Sequence, residues 1–191
     1  FVSNGAESAL EYISTTPSGG MIVSGFVDGE EGGIEGFKSY GNPVTGSSYV
    51  AYLSPEQLES ASAPVSFSWE KSYDLGSIRS IQPVGEDGYV FVAAYGEEWY
   101  EVVRIDNLGS EVWRTALTNH GEATDIAVLT DNSGFVITGH TDEGGGIDGS
   151  VTKVNLDGDI VWGKTYGNPE GGNGPFAHLD AGNSALIFDE C

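Results

Sequence analysis

Residues 150–166 have the sequence SVTKVNLDGDIVWGKTY, in which two β-rich stretches flank an Asp-Gly pair. Asp157-Gly158 is a strong short-range signal for a β-hairpin, because both central positions of a tight type I′ turn take positive φ and these residues tolerate it. The stretch therefore predicts two antiparallel strands, over residues 150–155 and 160–166.

Two further strands precede this hairpin. The sequence predicts them at residues 124–129 and 135–138, with turn residues DNSG at 131–134 between them. No stretch of the chain has apolar residues at 3.6-residue spacing over the length of a full helix. The pattern therefore predicts a unit of four short antiparallel strands.

The same unit recurs along the chain. Trp69, Trp113 and Trp162 are spaced by 44 and 49 residues and lie in the similar phrases SFSWEKSY, SEVWRTAL and DIVWGKTY. Upstream of each lies a Gly followed by a β-rich run: GGMIVSG, DGYVFVAA or SGFVITG. A recurrence of this length indicates a repeat architecture. The predicted units cover residues 8–76, 77–121 and 122–170, and an incomplete fourth covers residues 171–191.

The spacing Asp/Asn-x-x-Gly-x-x-x-Trp resembles the repeats of the quinoprotein-like and related bacterial β-propeller families. The residues that carry it are Asp106, Gly109 and Trp113 in the second unit and Asn155, Gly158 and Trp162 in the third. The resemblance implies an all-β fold of four-stranded propeller blades, about three and a half of them, belonging to a larger propeller. It implies little about function, because propellers carry out many different ones.

The first unit is longer than the others. The comparison with the third unit predicts an insertion of about 21 residues, placed near residues 40–64, with a short helical turn at Pro55–Glu59. An enlarged loop on a repeat is often a binding site; the alternative is a tolerated surface insertion.

The charge balance excludes several classes of partner. With 29 acidic and 7 basic side chains, the formal net charge is -22. Nucleic acid binding needs clustered Lys and Arg, and the carboxylates of a quinone cofactor would need several cationic anchors, so both are disfavoured. No apolar run approaches the roughly 20 residues of a spanning helix. The acidic, glycine-rich composition predicts a secreted or cell-surface protein.

Two Gly-rich acidic loops suggest that the chain binds calcium; the alternative is that it binds no cofactor. The loops, residues 25–36 and 139–149, align Asp28 with Asp142 and Glu35 with Asp148. Carboxylate and carbonyl oxygens are the ligands of Ca²⁺. The loops lack EF-hand spacing, and solvated acidic loops are the simpler interpretation.

Catalytic motifs are lacking in the sequence. His120, His140 and His178 have no metal-ligand spacing, and no GxSxG motif occurs. His140 aligns with Phe26, which predicts a packing position or one at the rim. We therefore expect that the chain is not an enzyme.

The aromatic residues offer a second kind of ligand site. Tyr95, Trp99 and Tyr100 could stack on a glycan, whereas the three repeated tryptophans are expected to pack between blades. Cys191 is the sole cysteine and the last residue, so a disulfide would be intermolecular.

These observations predict a non-enzymatic extracellular structural or protein-interaction module. Its expected partners are other protein chains or the missing remainder of its own propeller, because unpaired sheet edges need covering. The alternatives are a carbohydrate-binding propeller and a fragment of a calcium-stabilised or quinoprotein-like enzyme.

Overall fold

The structure, a computed structural model, describes residues 7–29, 47–59, 66–95, 99–117, 122–141 and 148–166. Within these residues the chain forms three four-stranded antiparallel sheets, each with its strands in sequence order. The all-β prediction, with four antiparallel strands per unit, is confirmed. None of the helices in these ranges has the length and apolar character needed to cross a membrane.

Sheet 1 contains β1 (Glu7–Thr15), β2 (Met21–Gly29), β3 (Ser47–Leu53) and β4 (Trp69–Tyr73), with the short helix α1 (Pro55–Glu59) between β3 and β4. Sheet 2 contains β5 (Ile78–Pro83), β6 (Tyr89–Tyr95), β7 (Trp99–Ile105) and β8 (Glu111–Ala116). Sheet 3 contains β9 (Glu122–Val128), β10 (Phe135–Thr141), β11 (Asp148–Val154) and β12 (Ile160–Tyr166).

The turn at Asp157-Gly158 differs from the predicted type I′ turn. Only Gly158 of this pair has positive φ, at 92°. The Asn155 side-chain oxygen accepts hydrogen bonds from the backbone N–H groups of Asp157 (3.0 Å) and Asp159 (2.8 Å). This is a type I turn followed by a glycine bulge, a hairpin connection in which only one residue needs a left-handed conformation. The side chain of Asn155 thus decides the turn type.

The extra residues of sheet 1 do not form one insertion at residues 40–64. Strand β3 runs through that stretch, so the additional residues lie on both sides of it. Seventeen residues separate β2 from β3, against six between β10 and β11, and fifteen separate β3 from β4, against five between β11 and β12. The helical turn at Pro55–Glu59 forms as predicted.

Sheet 2 is covered on both faces. Along β6 the buried side chains alternate between two apolar clusters: Phe91 and Ala93 pack with residues of sheet 1, and Val90 and Val92 pack with residues of sheet 3. A strand buried on both faces needs a continuous apolar run, and YVFVAA in β6 provides one.

The first strands of the sheets lie beside one another. Strand β5 contacts both β1 and β9, whereas the last strands β4, β8 and β12 lie at the opposite edges of their sheets. We call the contacts among β1, β5 and β9 the inner seam. We call the contacts of β4 and β8 with the following sheet, described below, the outer seam.

Candidate functional site

In the outer seam, β4 of sheet 1 packs on the turn at residues 106–110 of sheet 2. The Trp69 ring lies against Gly109, so closely that a Cβ on this glycine would come within 2.8 Å of the ring. The Tyr73 hydroxyl donates a hydrogen bond to the Gly109 carbonyl at 2.8 Å, and Lys71 Nζ donates one to Ser110 Oγ at 3.3 Å. A glycine is required here both for this close approach and for its φ of 75°.

Strand β8 of sheet 2 repeats this contact on the turn at residues 155–159 of sheet 3. A Cβ on Gly158 would lie 2.9 Å from the Trp113 ring. Thr115 Oγ1 donates to the Gly158 carbonyl at 2.6 Å, and Trp113 Nε1 donates to the Leu156 carbonyl at 2.9 Å. The expectation that Trp69 and Trp113 pack between sheets is confirmed.

Trp162, on β12, was also expected to pack between sheets, but in the described structure it is an exposed side chain. It is 37% exposed, and every residue of β12 is exposed along the strand. Ile160, Val161 and Tyr166 are also among the large exposed apolar side chains. We define Trp162, Lys164 and Tyr166, which alternate along one side of the strand, as the β12 docking face.

The inner seam contains a cluster of charged and hydroxyl groups, the Arg79 cluster, formed by Arg79, Tyr100, Glu122 and His140. Arg79 Nη2 lies 3.2 Å from Glu122 Oε1 and 3.4 Å from the Tyr100 hydroxyl. Glu122 Oε2 lies 3.1 Å from His140 Nε2. These side chains come from β5, β7, β9 and β10, so the cluster ties sheet 2 to sheet 3.

The surroundings shift the pKa values of this cluster. Burial raises the pKa of Glu122, but hydrogen bonds from His140 and Tyr100 and the charge of Arg79 together outweigh it and hold the pKa below the usual range. Burial also raises the pKa of Tyr100, to about 12. The guanidinium of Arg79 thus faces an ionised carboxylate and a neutral phenol, so that removing Arg79 would leave the carboxylate incompletely paired.

Glu11 on β1 is the other perturbed carboxyl of this seam. Burial raises its pKa to about 7, although the nearby charge of Arg79 acts in the opposite direction. Its Oε2 atom is buried and has no hydrogen-bond partner among the described residues. Such shifts occur at active sites and in structural networks alike. The pairs within the Arg79 cluster are typical of a structural network, although Arg79 Nε and His140 Nδ1 are buried without a hydrogen-bond partner among the described residues.

A cleft of about 360 Å³ opens beside this cluster. Its walls come from β1, β5 and β9, and they are lined by Tyr12, Ile13, Arg79, Ser80, Ile81, Gln82, Thr124 and Asp125. Arg79 is 17% exposed there. The cleft therefore follows the inner seam where the three sheets meet.

Of the four residues predicted to bind calcium, only Asp148 has its side chain in the described part of the chain, so the calcium site stays a prediction. Asp148 begins β11, opposite Thr141. The backbone of Asp28 lies in β2, while its side chain, Glu35 and Asp142 lie outside the described residues. In sheet 1, Ser47 pairs with Val27 as Asp148 pairs with Thr141 in sheet 3, so Ser47 is the structural counterpart of Asp148. The described residues contain no group of three or more metal-ligating side chains.

The predicted glycan-binding residues lie on β6 and β7. Tyr100 is 7% exposed and belongs to the apolar cluster between sheets 2 and 3, with its hydroxyl near Arg79. The side chains of Tyr95 and Trp99 lie outside the described residues, as do His120, His178 and Cys191. The glycan and disulfide hypotheses stay predictions.

Sequence reasoning missed the Arg79 cluster. Its members come from four strands and recur in no other unit, so the repeat gives no signal for them. His140 was expected at a packing or rim position; it is half-buried and pairs with Glu122. The tryptophan contacts, in contrast, follow the repeat.

Comparison with protein-family models and with curated proteins finds no match for this chain.

Proposed function

We propose that this chain is a non-enzymatic structural or protein-interaction module, built of propeller-type blades, that joins an extracellular or cell-surface assembly. The observation that carries the proposal is the exposed β12 docking face. Its residues occupy the positions that β4 and β8 use to join the next sheet, yet its tryptophan is 37% exposed. An exposed aromatic strand of this kind is typical of an interaction surface.

The arrangement of the sheets supports blades of a propeller. Each sheet is a four-stranded meander, and the first strands of neighbouring sheets lie together. Each of the first two sheets places the tryptophan of its last strand on a turn of the next sheet. Radial repetition of four-stranded sheets is the architecture of a propeller.

Among the residues that the structure describes, β12 is the outermost strand of sheet 3, and this position also favours an interaction role. The outermost strand of a sheet has free N–H and C=O groups, which pair readily with another chain. The formal net charge of -22 opposes non-specific association, so pairing at this edge would need a specific partner. The same acidic composition supports an extracellular location.

Site-specific photo-crosslinking tests this function. A benzophenone amino acid replaces Tyr166 on β12 or, as a control, Leu108 in the turn of sheet 2; both positions are exposed. In the producing cells we expect Tyr166 to yield a cross-link to one defined polypeptide segment in the extracellular fraction, identified by mass spectrometry, and Leu108 to yield none. Equal products from both positions, or no product from Tyr166, would contradict the proposal.

A further inference from the structure

Strand β12 repeats the docking residues of β4. The last five residues of β12 are WGKTY and β4 is WEKSY, and the two are identical at the first, third and fifth positions. Side chains two apart in a strand point to the same face, so Trp162, Lys164 and Tyr166 form the same triplet as Trp69, Lys71 and Tyr73. In β4 the triplet is engaged, and Tyr73 is only 8% exposed; in β12 the corresponding Tyr166 is 56% exposed.

The engaged triplet shows what such a face recognises. All three residues of β4 contact one turn: Trp69 packs on Gly109, Lys71 reaches Ser110, and the Tyr73 hydroxyl donates to the Gly109 carbonyl. This turn begins at an aspartate: hydrogen bonds from the backbone N–H groups of Ser110 and Leu108 lower the pKa of Asp106, and the charge of Lys71 adds to the effect. The turn thus offers a bare glycine, a carbonyl and a negative charge.

The contact made by β8 shows that the recognition does not depend on one sequence. Trp113 packs on Gly158, and Thr115 donates to the Gly158 carbonyl. Both turns have an Asp or Asn whose side chain accepts two backbone N–H groups, and both have a glycine three residues later. The shared requirement is an Asp/Asn-x-x-Gly turn.

We propose that the β12 docking face binds an Asp/Asn-x-x-Gly hairpin turn carried by a further four-stranded unit. This proposal rests on the interaction function proposed above and names the partner of that face. In the present structure Lys164 Nζ lies over the Trp162 ring, 5.5 Å from its centre. When the turn binds, this ammonium moves away from the indole ring to the acidic end of the turn, which is the position of Lys71 in sheet 1. The glycine of the turn then packs on the face of the indole ring.

A second copy of this chain is a poor occupant. The described residues contain two turns of this kind between the third and fourth strands of a sheet, and Trp69 and Trp113 already cover them. In sheet 1 the corresponding connection is fifteen residues long and contains α1 instead of a short turn. Because both of these turns are already covered in the described part of a second copy, a different unit is the favoured occupant.

A hairpin peptide tests the proposal on the intact chain. The probe has residues 103–114 closed into a ring by a D-Pro-Gly turn, and it is added at millimolar concentration to the ¹⁵N-labelled 191-residue chain. We expect the indole N–H resonance of Trp162 and the amide resonances of β12 to shift and saturate. A peptide with Gly109→Val should bind at least about tenfold more weakly, because its side chain would strike the indole ring.

Matched variants of the chain complete the experiment. Trp162→Ala should abolish the shifts of β12, whereas Thr165→Ala, which alternates with Lys164 and Tyr166 in the regular part of the strand, should leave them unchanged. Shifts that persist in Trp162→Ala, equal binding of both peptides, or no shift at all would overturn the proposal. Dimerisation in sedimentation that Trp162→Ala abolishes would assign the face to a second copy and overturn it as well. If Tyr166 still cross-links to a partner while the peptide does not bind, the interaction function stands and turn recognition fails.

Discussion

The outer and inner seams join the same sheets with different chemistry. The outer seam uses a tryptophan, a glycine turn and hydrogen bonds to neutral carbonyls, and the packing of tryptophan on glycine occurs twice, although different side chains donate the hydrogen bonds. The inner seam uses the Arg79 cluster, in which an ion pair and a histidine are held between strands of sheets 2 and 3. The outer contact is therefore repeatable, whereas the inner contact is specific to one pair of sheets.

This difference suggests a division of roles. A contact that needs only an exposed strand and a glycine turn can be repeated at any further sheet, and β12 has the residues for another. A buried charged pair must meet its own partner, because an uncompensated buried charge is costly. We infer that the outer seam extends the array and that the inner seam fixes which sheets are neighbours.

The largest effect should come from removing a docked tryptophan. Trp113→Ala deletes the contact with Gly158 and Phe135 and the hydrogen bond to Leu156. We expect a loss of about 3 kcal/mol in the free energy of unfolding, since loss of a large packed side chain leaves a cavity. Urea denaturation followed by far-UV circular dichroism measures it.

The exposed counterpart is the control for this variant. Trp162→Ala should change the free energy of unfolding by less than about 0.5 kcal/mol, because surface substitutions have small effects. If the two variants lost the same stability, Trp162 would already be docked in the isolated chain, and the contrast between β8 and β12 would fail.

The two seams also differ in how far the sequence could predict them. Trp69, Trp113 and Trp162 were expected between sheets because a residue that recurs with the repeat occupies the same structural place in each unit. The bounds of β12 could also be predicted, because Asp157-Gly158 marks the turn before this strand. The turn type could not be predicted from the Asp-Gly pair, because the Asn155 side chain stabilises a different turn.

The Arg79 cluster could not be predicted in this way. Arg79, Glu122 and His140 are separated in sequence and meet only because the first strands of sheets 2 and 3 lie together. Their spacing depends on how one sheet rotates against the next, which no local pattern records. The split of the extra residues of sheet 1 around β3 was missed for a related reason: a strand without a repeated tryptophan resembles part of an insertion.

A moderate effect is expected at the inner seam. Arg79→Met removes the charge that faces Glu122 and leaves this carboxylate, 13% exposed, with His140 and Tyr100 as partners. We expect a loss of about 2 kcal/mol at pH 7, because an incompletely paired buried charge is penalised. The defect should shrink as the pH is lowered, because a protonated Glu122 no longer needs the charge of Arg79. Urea denaturation at pH 7 and at pH 4 measures it.

Arg114→Met is the matched control for Arg79→Met. Arg114 pairs with Glu111 and Glu101, but its side chain is 34% exposed, so solvent screens the pair. We expect a change of less than about 0.5 kcal/mol at either pH. Equal losses in the two variants would mean that burial of the inner seam does not distinguish it from a surface ion pair.

The smallest effect should be a pH dependence that arises from Glu11. Burial raises the pKa of this carboxyl from 4.5 to about 7, so the folded chain favours its protonated form. The stability that this gives is complete below pH about 4.5 and is lost as the pH rises through about 7. Because the group is only partly buried and solvent screens it, the loss should be no more than about 1 kcal/mol.

Glu11→Gln isolates this contribution, since the amide keeps the shape of the protonated carboxyl and does not titrate. The free energy of unfolding of the wild-type chain should fall relative to the variant between pH 4.5 and 8, because all other titrations cancel in the difference. Trp113→Ala changes the outer seam and should leave the slope of the free energy of unfolding against pH as it is in the wild type. Parallel pH profiles for wild type and Glu11→Gln would show that Glu11 ionises as an exposed carboxyl does, and a slope altered by Trp113→Ala would show that the two seams are coupled.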